Sequence, residues 1–141
     1  MFVPRIRALA LLSFVMSSAA AAAGPAPIAG QWLTADGSAV VSVGSCGAQT
    51  CGRISRVLKS APGAPRVDAN NPDPALRTRP VVGLPILTGF APGGGDWRGR
   101  IYDPRNGKSY KSIVSREADG TLKVKGCIAF FCQTQVWRPL R

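Results

Sequence analysis

Histidine is absent from the 141-residue chain, and only seven residues are acidic. The first absence removes the commonest general base and metal ligand. The second leaves Asp36, Asp68, Asp73, Asp96, Asp103, Glu117 and Asp119 as the only carboxylates. Asp36 and Asp119 each precede a glycine in a turn dipeptide, and Asp73 precedes a proline as a helix cap does. Asp68 and Asp103 remain for a carboxylate pair of the glycosidase type, and nothing in their spacing brings them together. The chain therefore reads as non-enzymatic, with a hydrolase using Asp68 and Asp103 as the alternative. No metal or cofactor is expected. Helical patterning is lacking too: no dozen residues carry an apolar stripe, and 16 glycines and 12 prolines interrupt the chain throughout. Beyond residue 23 no apolar run approaches the roughly 20 residues of a membrane span.

What is present begins with the N-terminus. Arg5 and Arg7 precede an apolar run from Ala8 to Met16, and residues Ser17 to Ala23 are small. This is the layout of a secretory signal, with Ala21-Ala22-Ala23 as the cleavage site. The expected division is a signal peptide over 1–23 and a single domain over 24–141, located in the periplasm or secreted. Cleavage takes 23 of the 141 residues and leaves 118, enough for one modest core. It also removes two of the 18 basic residues, leaving 16 against seven acids and a net charge of +9. In an exported protein that balance points away from nucleic acid and toward anionic lipids, polysaccharides and acidic proteins. The basic residues are scattered (Arg53, Arg56, Lys59, Arg98, Arg100, Lys111, Lys123, Lys125) rather than run together.

Cys46 and Cys51 enclose four residues, as do Cys127 and Cys132. An even count in an oxidising compartment reads as disulfides. Of the three pairings, Cys46–Cys51 with Cys127–Cys132 is favoured, because each pair flanks a hairpin tip and opposed strand residues stand near disulfide distance. Structural zinc sites space their paired cysteines more tightly, and redox pairs are usually Cys-x-x-Cys.

The dominant period is two. Leu122-Lys123-Val124-Lys125 and Trp97-Arg98-Gly99-Arg100-Ile101-Tyr102 alternate as half-buried strands do. Asp36-Gly37, Asn106-Gly107 and Asp119-Gly120 are hairpin turns, and Gly93-Gly94-Gly95 marks a further reversal. Strands are expected over 30–34, 38–45, 52–59, 84–90, 97–103, 108–116, 120–127 and 132–138. The fold class is all-β: a small up-and-down antiparallel barrel of about eight strands, closed because closure removes the sheet edges. Its one long connection, 60–83, is proline-rich. Within it Asp73-Pro74 predicts a short helix through Arg77, and the segment is expected as an ordered strap or lid across one end of the barrel.

Gly30-Gln31-Trp32 at the start of the first strand resembles the opening of lipocalin-like and avidin-like barrels. That likeness implies Trp32 as an end plug under a basic side chain of the last strand, here Arg138 in Gln135-Val136-Trp137-Arg138. A broader likeness rests on Cys51-Gly52-Arg53-Ile54, Asp68-Ala69-Asn70-Asn71-Pro72, Gly83-Leu84-Pro85-Ile86-Leu87, Tyr102-Asp103-Pro104, Gly107-Lys108-Ser109-Tyr110 and Leu122 to Cys127. Over nearly the whole of 24–141 the chain resembles the exported bacterial family known as domain of unknown function 2147. The resemblance implies a small barrel in the periplasm or outside the cell and no assigned activity. Because Cys46 and Cys132 are less general in that family, it also leaves Cys51 with Cys127 as a rival pairing.

Trp97, Tyr102, Tyr110 and Trp137 fall on expected strands, with Phe90 and Phe130 beside them, and core packing is the default for each. For function, the leading expectation is non-enzymatic binding of a small apolar or anionic amphipathic ligand in a cleft at the barrel mouth, with the strap as its lid. Asp68, Asn71, Trp97, Tyr102, Asp103 and Tyr110 are the residues expected to line it. The competing expectation is a barrel with a solid core whose outer face docks an envelope polymer or protein. The sequence leaves oligomeric state open.

Overall fold

Alternating residues on eight short strands form one closed antiparallel barrel, each strand paired with the next in the chain. The computed structural model describes residues 17–18 and 23–141, so the signal peptide expected over 1–23 lies almost wholly outside the described residues. The strands are β1 (Gly30–Leu33), β2 (Ala39–Cys46), β3 (Gln49–Val57), β4 (Pro85–Pro92), β5 (Trp97–Asp103), β6 (Lys108–Arg116), β7 (Leu122–Ile128) and β8 (Phe131–Pro139). Closure comes from β1 against β8, through Trp32 with Pro139 and Leu33 with Arg138.

Alternation breaks where a small barrel must bend. A bulge between Val40 and Val41 leaves both valines fully buried. Further irregularities occur in β3 around Gly52 and in β4 between Thr88 and Ala91. The inward position 99 on β5 takes a glycine because Phe90 occupies the space a side chain would need: a Cβ there would lie 2.6 Å from the phenyl ring.

The inward side chains form one contiguous buried cluster that includes Trp32, Val41, Leu87, Phe90, Val114, Leu122, Val124 and Trp137. Full burial of a leucine or phenylalanine contributes about 1.5–3 kcal/mol, so such a cluster supplies the main driving force. Phe130 does not join it. It sits at the β7–β8 turn and is 99 % exposed, because a hairpin tip projects beyond the sheet that would have covered it.

The disulfides join Cys46 to Cys51 and Cys127 to Cys132. Cys127 and Cys132 are direct cross-strand partners. Cys46 stands opposite Gln49 and Cys51 opposite Gly44, so that bridge runs diagonally across its hairpin.

The connection between β3 and β4 carries one 3-10 turn at Pro74–Leu76, capped by Asp73, whose carboxylate accepts from the Ala75 N–H at 3.0 Å. Val67 bridges Pro80, and the Asp68 N–H bonds the Arg79 carbonyl, which folds the strap back on itself.

Candidate functional site

Asp68, Asn71 and Tyr102, expected around a ligand, meet in the structure and bind one another. The Asp68 side chain is fully buried, and its carboxylate accepts from the Tyr102 hydroxyl at 2.6 Å, from Asn71 Nδ2 at 2.8 Å and from Arg79 Nη2 at 3.0 Å. Burial by itself would raise the Asp68 pKa. The hydrogen bonds from Tyr102, Asn71 and Arg79, with the Arg79 charge, outweigh it and hold the carboxyl below its ordinary value. The Tyr102 phenol moves the other way, pushed up to about 12 by burial and by the carboxylate beside it. Asn70 adds bonds from its side-chain amide to the carbonyls of Pro104 and Arg105. Together these groups pin the strap to β5 and to the β5–β6 turn. Every acceptor position of Asp68 that they use is denied to a substrate.

Trp97 lies at the opposite end of β5 and has a different task. Its indole N–H donates to the Ala26 carbonyl at 2.9 Å, while the Trp32 indole donates to the Ile28 carbonyl, also at 2.9 Å. β1 and β5 stand across from each other in an eight-strand barrel, so Ala26 to Ile28 crosses and closes that end, with Ile28 buried in the core cluster. The cation over the Trp32 ring is Arg116 of β6, 5.3 Å from the centroid, rather than Arg138. Strand parity explains the correction. Arg116 shares its face with inward Ser112 and Val114, whereas Arg138 follows inward Trp137 and is exposed. The sequence did not single out Pro25-Ala26-Pro27-Ile28; an isoleucine in a proline-rich lead-in was the only signal.

Asp103 stands apart from Asp68's network and is engaged by Arg105 Nε at 3.0 Å. Tyr110 is the expected residue that borders a depression beside basic side chains. Its hydroxyl accepts from Asn106 Nδ2 at 3.0 Å, and the residue helps line this depression of about 440 Å³ between the β5–β6 hairpin and the tip of β7–β8. Arg100, Lys108, Lys111, Ile128 and Ala129 border it, and no acid does. Arg100, Lys111 and Cys127 are neighbours across β5, β6 and β7, so side chains scattered in sequence become one basic patch. Register alone brings them together, and no local motif announced it. A second depression, of about 630 Å³, lies beside Gln31, Ser55, Arg56, Leu140 and Arg141. Among the described residues no cluster of His, Cys, Asp and Glu has the makings of a metal site.

Comparison with known proteins matches this geometry at the level of fold. The Helicobacter pylori protein HP1028, assigned to the lipocalin family, is similar with a TM-score of 0.71 and 20 % identity, over 82 % of this chain and 84 % of that one. No curated protein matches the chain. Residues 30–138, from the start of the first strand to within one residue of the end of the last, match the family described as uncharacterised protein conserved in bacteria, DUF2147. An eight-strand barrel with lipocalin-like topology and a family match reaching every strand carry one conclusion: the chain belongs to the DUF2147 family.

Proposed function

We propose that this protein is an exported, non-enzymatic binding module that takes an anionic partner in the depression beside Tyr110. The observation that carries this reading is a depression bordered by Arg100, Lys108, Lys111 and Tyr110 and by no acid. The filled interior supports it as well: Trp32, Phe90 and Trp137 occupy the space that an interior ligand of a lipocalin-like barrel would need. Asp68 and Asp103 are both engaged by internal donors, which argues against the hydrolase alternative. Export is supported by the two disulfides, which persist in oxidising compartments, and by the leader pattern of residues 1–23.

The test is an amide NMR titration of the purified, oxidised protein with inorganic pyrophosphate, paired with native mass spectrometry. Shifts clustered at residues 108–111 and 127–129 on a protein of clean apo mass would support the reading. A non-covalent mass lost on denaturing, or shifts concentrated at inward residues such as Val114 and Val124, would move the site inside the barrel.

A further inference from the structure

Hairpin tips are ordinarily built from polar residues and glycine. The β7–β8 tip reads Ile128-Ala129-Phe130-Phe131, and its three large side chains are 66 %, 99 % and 84 % exposed in that order. The Cys127–Cys132 disulfide clamps the base of the tip, and Ala129 completes the turn at φ 51°, a left-handed conformation unusual for a residue with a Cβ. The phenylalanines are thus held away from the core. β8 meets β1 only near its end, so the stretch from Phe131 to Val136 pairs with β7 alone and the hairpin projects. Directly behind the tip lies the patch of Arg100, Lys108 and Lys111, which shares Ile128 and Ala129 as its border.

We propose that this hairpin is a membrane-docking finger: Phe130, Phe131 and Ile128 enter the interface of a bilayer while Arg100, Lys108 and Lys111 take the phosphates of anionic headgroups. The proposal rests on the reading of that patch as an anion site and names its partner. Apolar side chains projecting from a basic collar match the layered chemistry of such a surface, where the acyl boundary lies beneath a plane of phosphate. A protein partner fits less well. Large aromatic side chains carry about 150–250 Å² each, so this tip falls short of the roughly 800 Å² per partner that a stable interface covers. The net charge of +9 over residues 24–141 works in the same direction by drawing the protein to an anionic surface.

The experiment is sedimentation of the oxidised protein with vesicles of phosphatidylglycerol and phosphatidylethanolamine, against vesicles of phosphatidylcholine alone. Binding to the anionic vesicles is expected, weakened by salt. Phe130→Ser with Phe131→Ser should weaken it about 50-fold or more, from the lost apolar insertion. Lys108→Gln with Lys111→Gln should weaken it about 25-fold, at about fivefold per charge. Because Phe130 and Phe131 are solvent-exposed, the serine variant should keep the wild-type denaturation midpoint, which separates loss of docking from loss of fold. Wild-type protein that ignores anionic vesicles, or a serine variant that binds them as tightly, overturns the finger. If pyrophosphate still shifts residues 108–111 in that case, the anion-site reading survives; if it does not, both fall.

Discussion

The Tyr102 hydroxyl lies 2.6 Å from Asp68 Oδ1, linking the strap to β5 across 34 residues of sequence. The pair joins the one long connection to the sheet in a place where neither group meets solvent freely. Arg79 and Asn71 complete the set, and removing any donor leaves the fully buried Asp68 carboxylate with fewer partners than it needs.

Tyr102→Phe should cost about 1.5–3 kcal/mol, the value of one hydrogen bond to a charged group. Asp68→Ala should cost more, about 3–5 kcal/mol, because it strips three donors of their acceptor at once. Urea denaturation of both variants and of the double variant checks this. Costs that simply add would show that the two residues do not act as a unit.

Stability should depend on pH at both extremes. Asp68 is held below its ordinary value of 3.8, so its contribution is complete above that pH and is lost as pH falls through the lowered pKa. Asp36 is also lowered, so the acid limb is shared. Tyr102 is raised from 10.0 to about 12, so its contribution is intact below pH 10 and disappears as pH climbs toward 12. Thermal midpoints across pH should show both limbs. In Tyr102→Phe the alkaline limb should flatten; an unchanged alkaline limb would assign it to another group.

At the other end of the barrel, Trp32→Ala should cost about 3–5 kcal/mol as a large core deletion. Arg116→Ala should cost only about 0.5–1 kcal/mol, the value of an exposed cation over a ring. Arg138→Ala should leave the denaturation midpoint unmoved. A ranking with Arg138 above Arg116 would contradict the parity argument.

Gly107 closes the β5–β6 turn at φ 70°, and a Cβ there would run into the Asn70 carbonyl. Gly107→Ala should therefore cost about 1–2 kcal/mol from the left-handed backbone alone, and more from displacing the strap. Hydrogen exchange should locate the loss at residues 68–71 while the β6–β7 amides stay protected. Uniform loss of protection would mean that the strap and the barrel unfold together.

Much of the fold was legible because its signals are local. Leu122-Lys123-Val124-Lys125 alternates whatever surrounds it, and the glycines after Asp36, Asn106 and Asp119 mark reversals by their own backbone freedom. All eight strands accordingly lie within a few residues of where the sequence places them. The Asp73 cap was equally local. The candidate site was not. Asp68, Asn71 and Tyr102 were singled out together and do meet, but their carboxylate, amide and phenol are spent on each other. Tyr110 alone among the expected lining residues borders the basic depression.

Strand count, turns, all-β class and the strap's capped turn follow from local signals, because period-two patterning and turn chemistry act over a few neighbouring residues. Which cation covers Trp32, where Asp68 spends its charge, and how Arg100, Lys108 and Lys111 gather behind the exposed Phe130 follow from the assembled barrel. Those outcomes depend on strand register and face, which are set when residues far apart in the chain are brought side by side.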